Sequence, residues 1–277
     1  VRSGAAAPAT PIATLACGEI GAGWAIGYET TRDDYGDLAS GAVLRSAPGF
    51  PAFPVRLASE VFQHALDVRG GTDPAVLWDP CCGSGYLLTV LGILHRRSIA
   101  RLLASDIDAD AALTLAAANV GLLAEGGLAA RAAELTERAR RFDKPGYAEA
   151  AAAAGRLSRR LEAAGGPLPY AVRQADVFDP TALASAVGGS EPDLVVTDVP
   201  YGEQTEWTGG HAGRGLHGML TAVASVLRPA AVIAVIVRGR RVPPIGAARP
   251  RRKLRVGTRA AALFVAADLN DAGPAHP

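Results

Sequence analysis

Lysine is almost absent from this chain. Of 28 basic residues only Lys144 and Lys253 are lysines. With alanine so abundant, that is codon bias from a GC-rich genome and says nothing of function. Cysteine is as scarce: Cys17, Cys81 and Cys82 are odd in number and two are adjacent, which excludes a disulfide framework. Neither they nor His64, His95, His211 and His217 fall at the spacing of a metal site or a catalytic triad, so no metal is expected. No apolar run reaches the roughly 18 residues of a membrane span. The start, Val1 to Ile12, lacks the charged-then-apolar order of a secretory signal. These absences predict a cytoplasmic protein with no membrane partner.

What is present is a hydrophobic share of 49% in 277 residues, enough for a sizeable core. The formal net charge of +1 hides an uneven distribution. Nine basic residues and no acid lie between Arg238 and Arg259, leaving 19 basic against 27 acidic residues elsewhere. A basic patch on an acidic chain fits a polyanionic partner, although a solvated surface loop has the same composition.

Residues 1–27 are rich in Ala, Gly, Pro and Thr without a period and read as a flexible tail, leaving 28–277 as one domain. SAPGFPAFP, residues 46–54, is an extended or turning segment. Val55, Leu57, Val61, Phe62, Ala65 and Leu66 then recur at helical spacing, behind prolines that suit a helix start. Strands are expected at Ala75–Trp78, Arg101–Ala104, Tyr170–Gln174, Asp193–Thr197 and Ala231–Val237, with a final hairpin from Leu254–Val256 and Ala261–Val265. Helices are expected at Tyr86–His95, Ala109–Leu123 and Gly215–Leu227. Alternating strands and helices predict an α/β fold, Rossmann-like, with a mostly parallel seven-stranded sheet covered on both faces. Glu125–Gly166 is too long for a connection and has helical composition divided by Lys144-Pro145-Gly146. It reads as an inserted helical hairpin that either caps the sheet edge or docks substrate.

Four acidic motifs follow strands in order. Asp79-Pro80-Cys81-Cys82-Gly83-Ser84-Gly85 stands between a strand and a helix. Gly83 and Gly85 permit a tight turn and close backbone approach to a ligand, and Cys81 and Cys82 supply small positions beneath it rather than a nucleophile. The third glycine of the dinucleotide fingerprint is missing, which disfavours a nicotinamide oxidoreductase. Asp79 is placed to hold a ligand ammonium, a group that S-adenosylmethionine has and NAD lacks. Asp106, followed by Ile107, ends the second strand, where an acid takes both ribose hydroxyls of a nucleoside; Asp108 caps the next helix. Asp176 can accept a hydrogen bond from an adenine amino group, with Val177 or Phe178 packing nearby. Each acid alone is more often a strand-end or cap residue, but three in order point to one nucleoside pocket.

The fourth motif, Asp198-Val199-Pro200-Tyr201-Gly202-Glu203, resembles the Asp/Asn-Pro-Pro-Tyr element of enzymes that methylate nitrogen in planar amino or amide systems. Such a nitrogen is a poor nucleophile because its lone pair is delocalised. Asp198 and the Val199 carbonyl can accept hydrogen bonds from it, and Tyr201 can stack on the base. Val199 replaces the first proline of that pattern. Trp207 and the glycine-rich stretch to Gly215 suggest a lid.

Taken together, DPCCGSG, SDID, ADVF and TDVPYGE resemble class I S-adenosylmethionine-dependent methyltransferases. SAPGFPAFPVRLASEVFQ, LWDPCCGSGYLLTVLGILHRRS and the insertion's RFDKPGYAEAA resemble the avilamycin-resistance ribosomal RNA methyltransferase family, AviRa, from about Tyr28 to the C-terminus. The resemblance implies methylation of a guanine nitrogen in large-subunit ribosomal RNA, protecting the ribosome from an orthosomycin antibiotic; a monomer is expected. Catalysis would fall to Asp198, Pro200 and Tyr201. Arg238, Arg240, Arg241, Arg251 and Arg252 are the candidate phosphate contacts, because their run follows a strand whose end should lie beside Asp198. Pairing of some of them with the acidic remainder of the chain is the competing reading. A methyltransferase acting on DNA adenine or protein glutamine, and a non-catalytic RNA-binding protein that kept the nucleoside pocket, are the alternatives.

Overall fold

In chain order the computed structural model has α1 (Gly36–Ala39), α2 (Val55–Arg69), β1 (Ala75–Asp79), α3 (Tyr86–Leu94), β2 (Ile99–Asp106), α4 (Ala111–Val120), α5 (Gly127–Phe142), α6 (Pro145–Ala163) and β3 (Tyr170–Gln174). Then come α7 (Pro180–Val187), β4 (Leu194–Asp198), α8 (Gly215–Ser225), β5 (Val232–Arg238), β6 (Arg252–Val256), β7 (Arg259–Val265) and α9 (Ala266–Asn270). The structure describes residues 27–28, 34–39, 41–50, 52–199 and 214–271. The expected flexible tail therefore lies almost wholly outside the described residues, as do Cys17, Pro200, Tyr201, Gly202, Glu203, Trp207 and His211.

The strands form one sheet in the order β3-β2-β1-β4-β5-β7-β6. Neighbours from β3 through β5 are parallel, and β7 runs antiparallel to both β5 and β6. The expected hairpin is thus present, with β7 inserted between its partner and β5. The buried strand β5 shows why both faces are covered. Val232, Ala234 and Ile236 join the apolar cluster shared with α2 and α3, whereas Ile233, Val235 and Val237 join that of α7, α8 and α9. All six are 0% exposed, and each buried Val or Ile side chain contributes about 1.5–3 kcal/mol. An unbroken apolar run is what a strand buried on two faces requires. Strand β2 is longer than its apolar stretch predicts, because pairing continues from Ala75↔Ile99 on one side to Asp106↔Gln174 on the other. Among the described residues no single helix is long and apolar enough to cross a membrane.

Helices α5 and α6 are the expected hairpin, and Pro145 opens α6 where its missing N–H costs nothing. The hairpin leaves the sheet edge uncapped. Strand β3 packs on α4 and α7 with Tyr170 38% exposed, while α5 and α6 pack on one another, on α1, on α3 and on the turn at 121–123. The hairpin also holds the segment at 41–45. Buried Arg131 of α5 donates to the carbonyls of Val43 (2.9 Å) and Ala42 (3.2 Å) and pairs with Glu134. From α4, fully buried Asn119 takes the Arg45 N–H at 2.7 Å and donates to the Arg45 and Ser84 carbonyls, each at 2.9 Å. That amide ties the segment to the glycine turn after β1, and the chain then carries Phe50 and Phe53 onward to the sheet's carboxyl edge.

Candidate active site

In a parallel sheet every strand points its carboxyl end at the same edge, and ligands bind there. Asp79 ends β1, Asp106 ends β2, Asp198 ends β4, and Asp176 follows β3 by two residues. The sheet order makes these strands neighbours, so acids up to 119 positions apart in sequence share one edge.

Asp79 is 2% exposed, and its Oδ1 accepts the Cys81 N–H at 3.1 Å. No basic side chain pairs with it among the described residues. Burial raises its pKa to about 7, and the charges of Asp106 and Asp198 push the same way. The turn beyond it is fixed to β2: the Cys82 N–H donates to the Ser105 carbonyl at 2.9 Å, and the Gly83 N–H to Asp106 Oδ2 at 2.9 Å. Gly83 has φ 50°, and a Cβ there would lie 3.5 Å from the Phe50 ring. Gly85 has φ 69°, and its Cβ would stand 2.9 Å from Ala116 Cα, so glycine at that position lets α3 lie against α4. Both cysteine thiols are pushed up, first by burial and then by the nearby carboxylates. Such a shift favours the thiol over the thiolate, which does not suit Cys81 or Cys82 to a nucleophilic role.

Asp106 also accepts the Asp108 N–H at 3.1 Å, and burial raises its pKa. Asp108 Oδ1 takes the N–H groups of Asp110 (3.0 Å) and Ala111 (2.9 Å), the helix-start role expected of it. The carbonyl of Ile107 receives Gln174 Nε2 at 3.1 Å. Asp176 Oδ1 accepts the Phe178 N–H at 2.9 Å, while Val177 and Phe178 are buried in the apolar cluster.

Asp198 has different company. Arg259 Nη1 lies 2.6 Å from each of its carboxylate oxygens. The guanidinium sits over the ring of Phe53, 4.8 Å from its centroid, and Phe53 is 6% exposed. Burial raises the Asp198 pKa, and the charges of Arg259 and Arg238 pull it down. Arg238 is there because it faces Arg259 across the β5–β7 ladder. The Val199 N–H is held by the Ile236 carbonyl at 3.1 Å. Pro200 and Tyr201, which complete this motif, lie outside the described residues.

The five candidate RNA-binding arginines divide. Arg238 closes β5 at the mouth of the site, followed by Arg240 and Arg241, all exposed. Arg251 instead forks onto Asp268 of α9 with two bonds of 2.9 Å, and Arg252 reaches Asp67 (3.3 Å) and His64 Nδ1 (2.6 Å) of α2. Arg259 is not among the expected site residues. Only the hairpin's register, opposite the last residue of β5, distinguishes it from the other members of the basic run. Phe53 likewise reads in sequence as part of a proline-rich turn. No group of three or more His, Cys, Asp or Glu placed to hold a metal occurs among the described residues.

The family described as rRNA methyltransferase AviRa matches residues 25–259. A relative from Streptomyces viridochromogenes, 23S rRNA (guanine(2535)-N(1))-methyltransferase, is 54% identical over 247 residues, 89% of this chain and 98% of its own. Two solved structures of the rRNA methyltransferase AviRa from the same organism are similar, at TM-scores of 0.82 and 0.81. They are 53% and 55% identical, and each match covers 88% of this chain and 97% of the other. The matched range takes in the inserted hairpin and all four strand-end acids, and the chain belongs to the AviRa family of rRNA methyltransferases.

Proposed function

We propose that this protein transfers the methyl group of S-adenosylmethionine to N1 of a guanine in 23S rRNA, the atom and RNA named for its 54%-identical relative, and so confers resistance to an orthosomycin antibiotic. The observation that carries the reading is the row of acids Asp79, Asp106, Asp176 and Asp198 along one sheet edge. The residues fit the cofactor. Asp79 is a buried carboxylate without a cationic partner among the described residues, and the cofactor's amino-acid end carries an ammonium to match it. Asp106 is the acid for the ribose hydroxyls and Asp176 for the adenine amino group. Cys81, Gly83, Gly85, Ile107 and Val177 form the surrounding wall. When bound, S-adenosylmethionine supplies an electrophilic methyl group on a positively charged sulfur.

Guanine N1 carries a proton, and its electrons belong to the ring. Asp198 accepts that proton, and the N–H bonding pair stays on the base and becomes the nucleophile. Burial favours this step by raising the basicity of the carboxylate. The carbonyl of Val199 is the second acceptor, Pro200 completes the motif, and Tyr201 stacks on the base, which must be unpaired or flipped out to reach the edge. Arg238, Arg240 and Arg241 flank the same mouth as phosphate contacts. The working unit is residues 28–277 as a cytoplasmic monomer.

Labelled methyl transfer from S-adenosylmethionine to 23S rRNA, followed by primer extension, tests the reading. N1 methylation blocks Watson–Crick pairing, so the proposal expects incorporation with a reverse-transcriptase stop at a guanine. Label on guanine without a stop points to N2, and absence of label contradicts the enzyme altogether.

A further inference from the structure

The Asp198–Arg259 pair has a feature that an ordinary ion pair does not need. A single nitrogen, Arg259 Nη1, contacts both carboxylate oxygens, each at 2.6 Å. A guanidinium has five N–H donors, and Nε and Nη2 have no hydrogen-bond partner among the described residues. The group is nonetheless held in place: its side chain is 17% exposed, and its plane is supported by buried Phe53. The strand-end edge therefore offers, side by side, a carboxylate that only accepts hydrogen bonds and a cation that only donates them.

Guanine presents the complementary pair. Its N1–H is a donor, and the adjoining O6 is an acceptor. Adenine presents the reverse, with N1 an acceptor and the 6-amino group a donor, so both contacts would be unfavourable. We infer that Asp198 and Arg259 together read the Watson–Crick edge of the target guanine, Asp198 taking the N1 proton and Arg259 donating to O6. This rests on the guanine reading of the proposed function.

The pairing also serves the reaction. When the N1–H bond breaks, the proton moves to Asp198 and the remaining electron pair spreads from N1 onto O6. Negative charge thus grows on the atom that Arg259 faces, at a half-buried pair, where a donor already in position is effective. As the guanidinium turns from carboxylate to O6, Asp198 loses its counter-charge and becomes a stronger base at the moment it is needed. Arg238, which faces Arg259 across the ladder and also acts electrostatically on Asp198, keeps one positive charge near the pair during that exchange. The edge thereby selects the base and raises its reactivity with the same two groups.

The test compares wild type with Arg259→Met and Arg259→Lys on the 23S rRNA target and on versions carrying inosine or adenosine at the methylated position. Arg259→Met keeps the bulk against Phe53 and removes the charge. Thermal unfolding and calorimetric S-adenosylhomocysteine binding verify that each variant is folded. Wild type should methylate guanosine and inosine, which share N1–H and O6, and should reject adenosine. Arg259→Met should lower kcat about 100-fold or more, leave S-adenosylhomocysteine affinity within threefold, and move the acid limb of kcat to higher pH, because Asp198 loses a cation. Arg259→Lys should recover part of kcat. A folded Arg259→Met protein with kcat within threefold of wild type and an unmoved acid limb overturns the inference while leaving the enzyme intact. A wild type that methylates no guanine overturns the proposed function, and this inference falls with it.

Discussion

The two halves of the sheet's carboxyl edge treat their acids differently. At β1 and β2, Asp79 and Asp106 have backbone N–H groups for partners and no cation among the described residues, and burial raises both pKa values. At β4, β5 and β7, Asp198 is clasped by Arg259 with Arg238 close by. A buried carboxylate without a counter-ion costs stability, so the first half is built for a ligand that brings its own positive charge. The second half keeps a cation in reserve, which suits a neutral base that becomes negative as it reacts. The placement of charge therefore fits the proposed division, with the cofactor at one half and the nucleobase at the other.

Removing Asp106 is the strongest single blow to the cofactor half. Hydrogen bonds to a charged group are worth about 1.5–3 kcal/mol each, and this carboxylate also holds the Gly83 N–H. Asp106→Ala should weaken S-adenosylhomocysteine binding about 100-fold by calorimetry and leave RNA affinity within a few-fold. Equal losses of both would show that the two halves are not separate.

Next in size is a pH effect. With its pKa raised to about 7, Asp79 is largely protonated at pH 6 and must ionise to hold an ammonium. S-Adenosylmethionine affinity should rise about tenfold per pH unit below 7 and level off above it, with proton release on binding. The free protein behaves oppositely: a carboxylate with a raised folded-state pKa favours the fold at low pH, and that contribution is lost as pH climbs from about 4 towards 7. Asp79→Asn should bind more weakly and show a flat pH profile; a variant that keeps the slope moves its origin to another group.

The arginines give a smaller test. Arg240→Ala with Arg241→Ala should weaken RNA binding and reduce the slope of log affinity against log salt by about 0.7 for each single-strand phosphate that is no longer neutralised. Arg251→Ala and Arg252→Ala should change that slope less, because these side chains are engaged with Asp268 and with Asp67 and His64. Their removal should instead lower thermal stability slightly, by about 0–1 kcal/mol for each exposed pair. A salt slope unchanged in the first pair transfers RNA binding to the hairpin of α5 and α6.

How far the sequence reveals this architecture depends on whether a feature is local. Strand β3 matches its expected span of Tyr170–Gln174, and the hairpin divides at Pro145 as expected, because both signals are carried by adjacent residues. The row of Asp79, Asp106, Asp176 and Asp198 is legible because strand ends in a parallel sheet converge by topology alone. Arg259 is not, since its partner lies 61 positions away and the pair exists only through the register of β5 with β7. Nor is the role of the hairpin. Arg131 and Asn119 read as helix residues, and their buried bonds to 42–45 and to Ser84 depend on how three separate segments pack. Gly85 likewise has a packing role that its motif does not announce, because a Cβ there would meet Ala116 and Val120.

The division of the edge is tested most directly by single-turnover methyl transfer with Asp198→Asn, cofactor occupancy being measured in the same sample. The substitution keeps the shape of the side chain and removes its charge and its ability to take a proton. The account predicts a fully loaded protein whose transfer to 23S rRNA is slowed about 100-fold or more. A loaded variant that transfers methyl at the wild-type rate would contradict it, because the N1 proton would then have to leave by a route that does not involve β4.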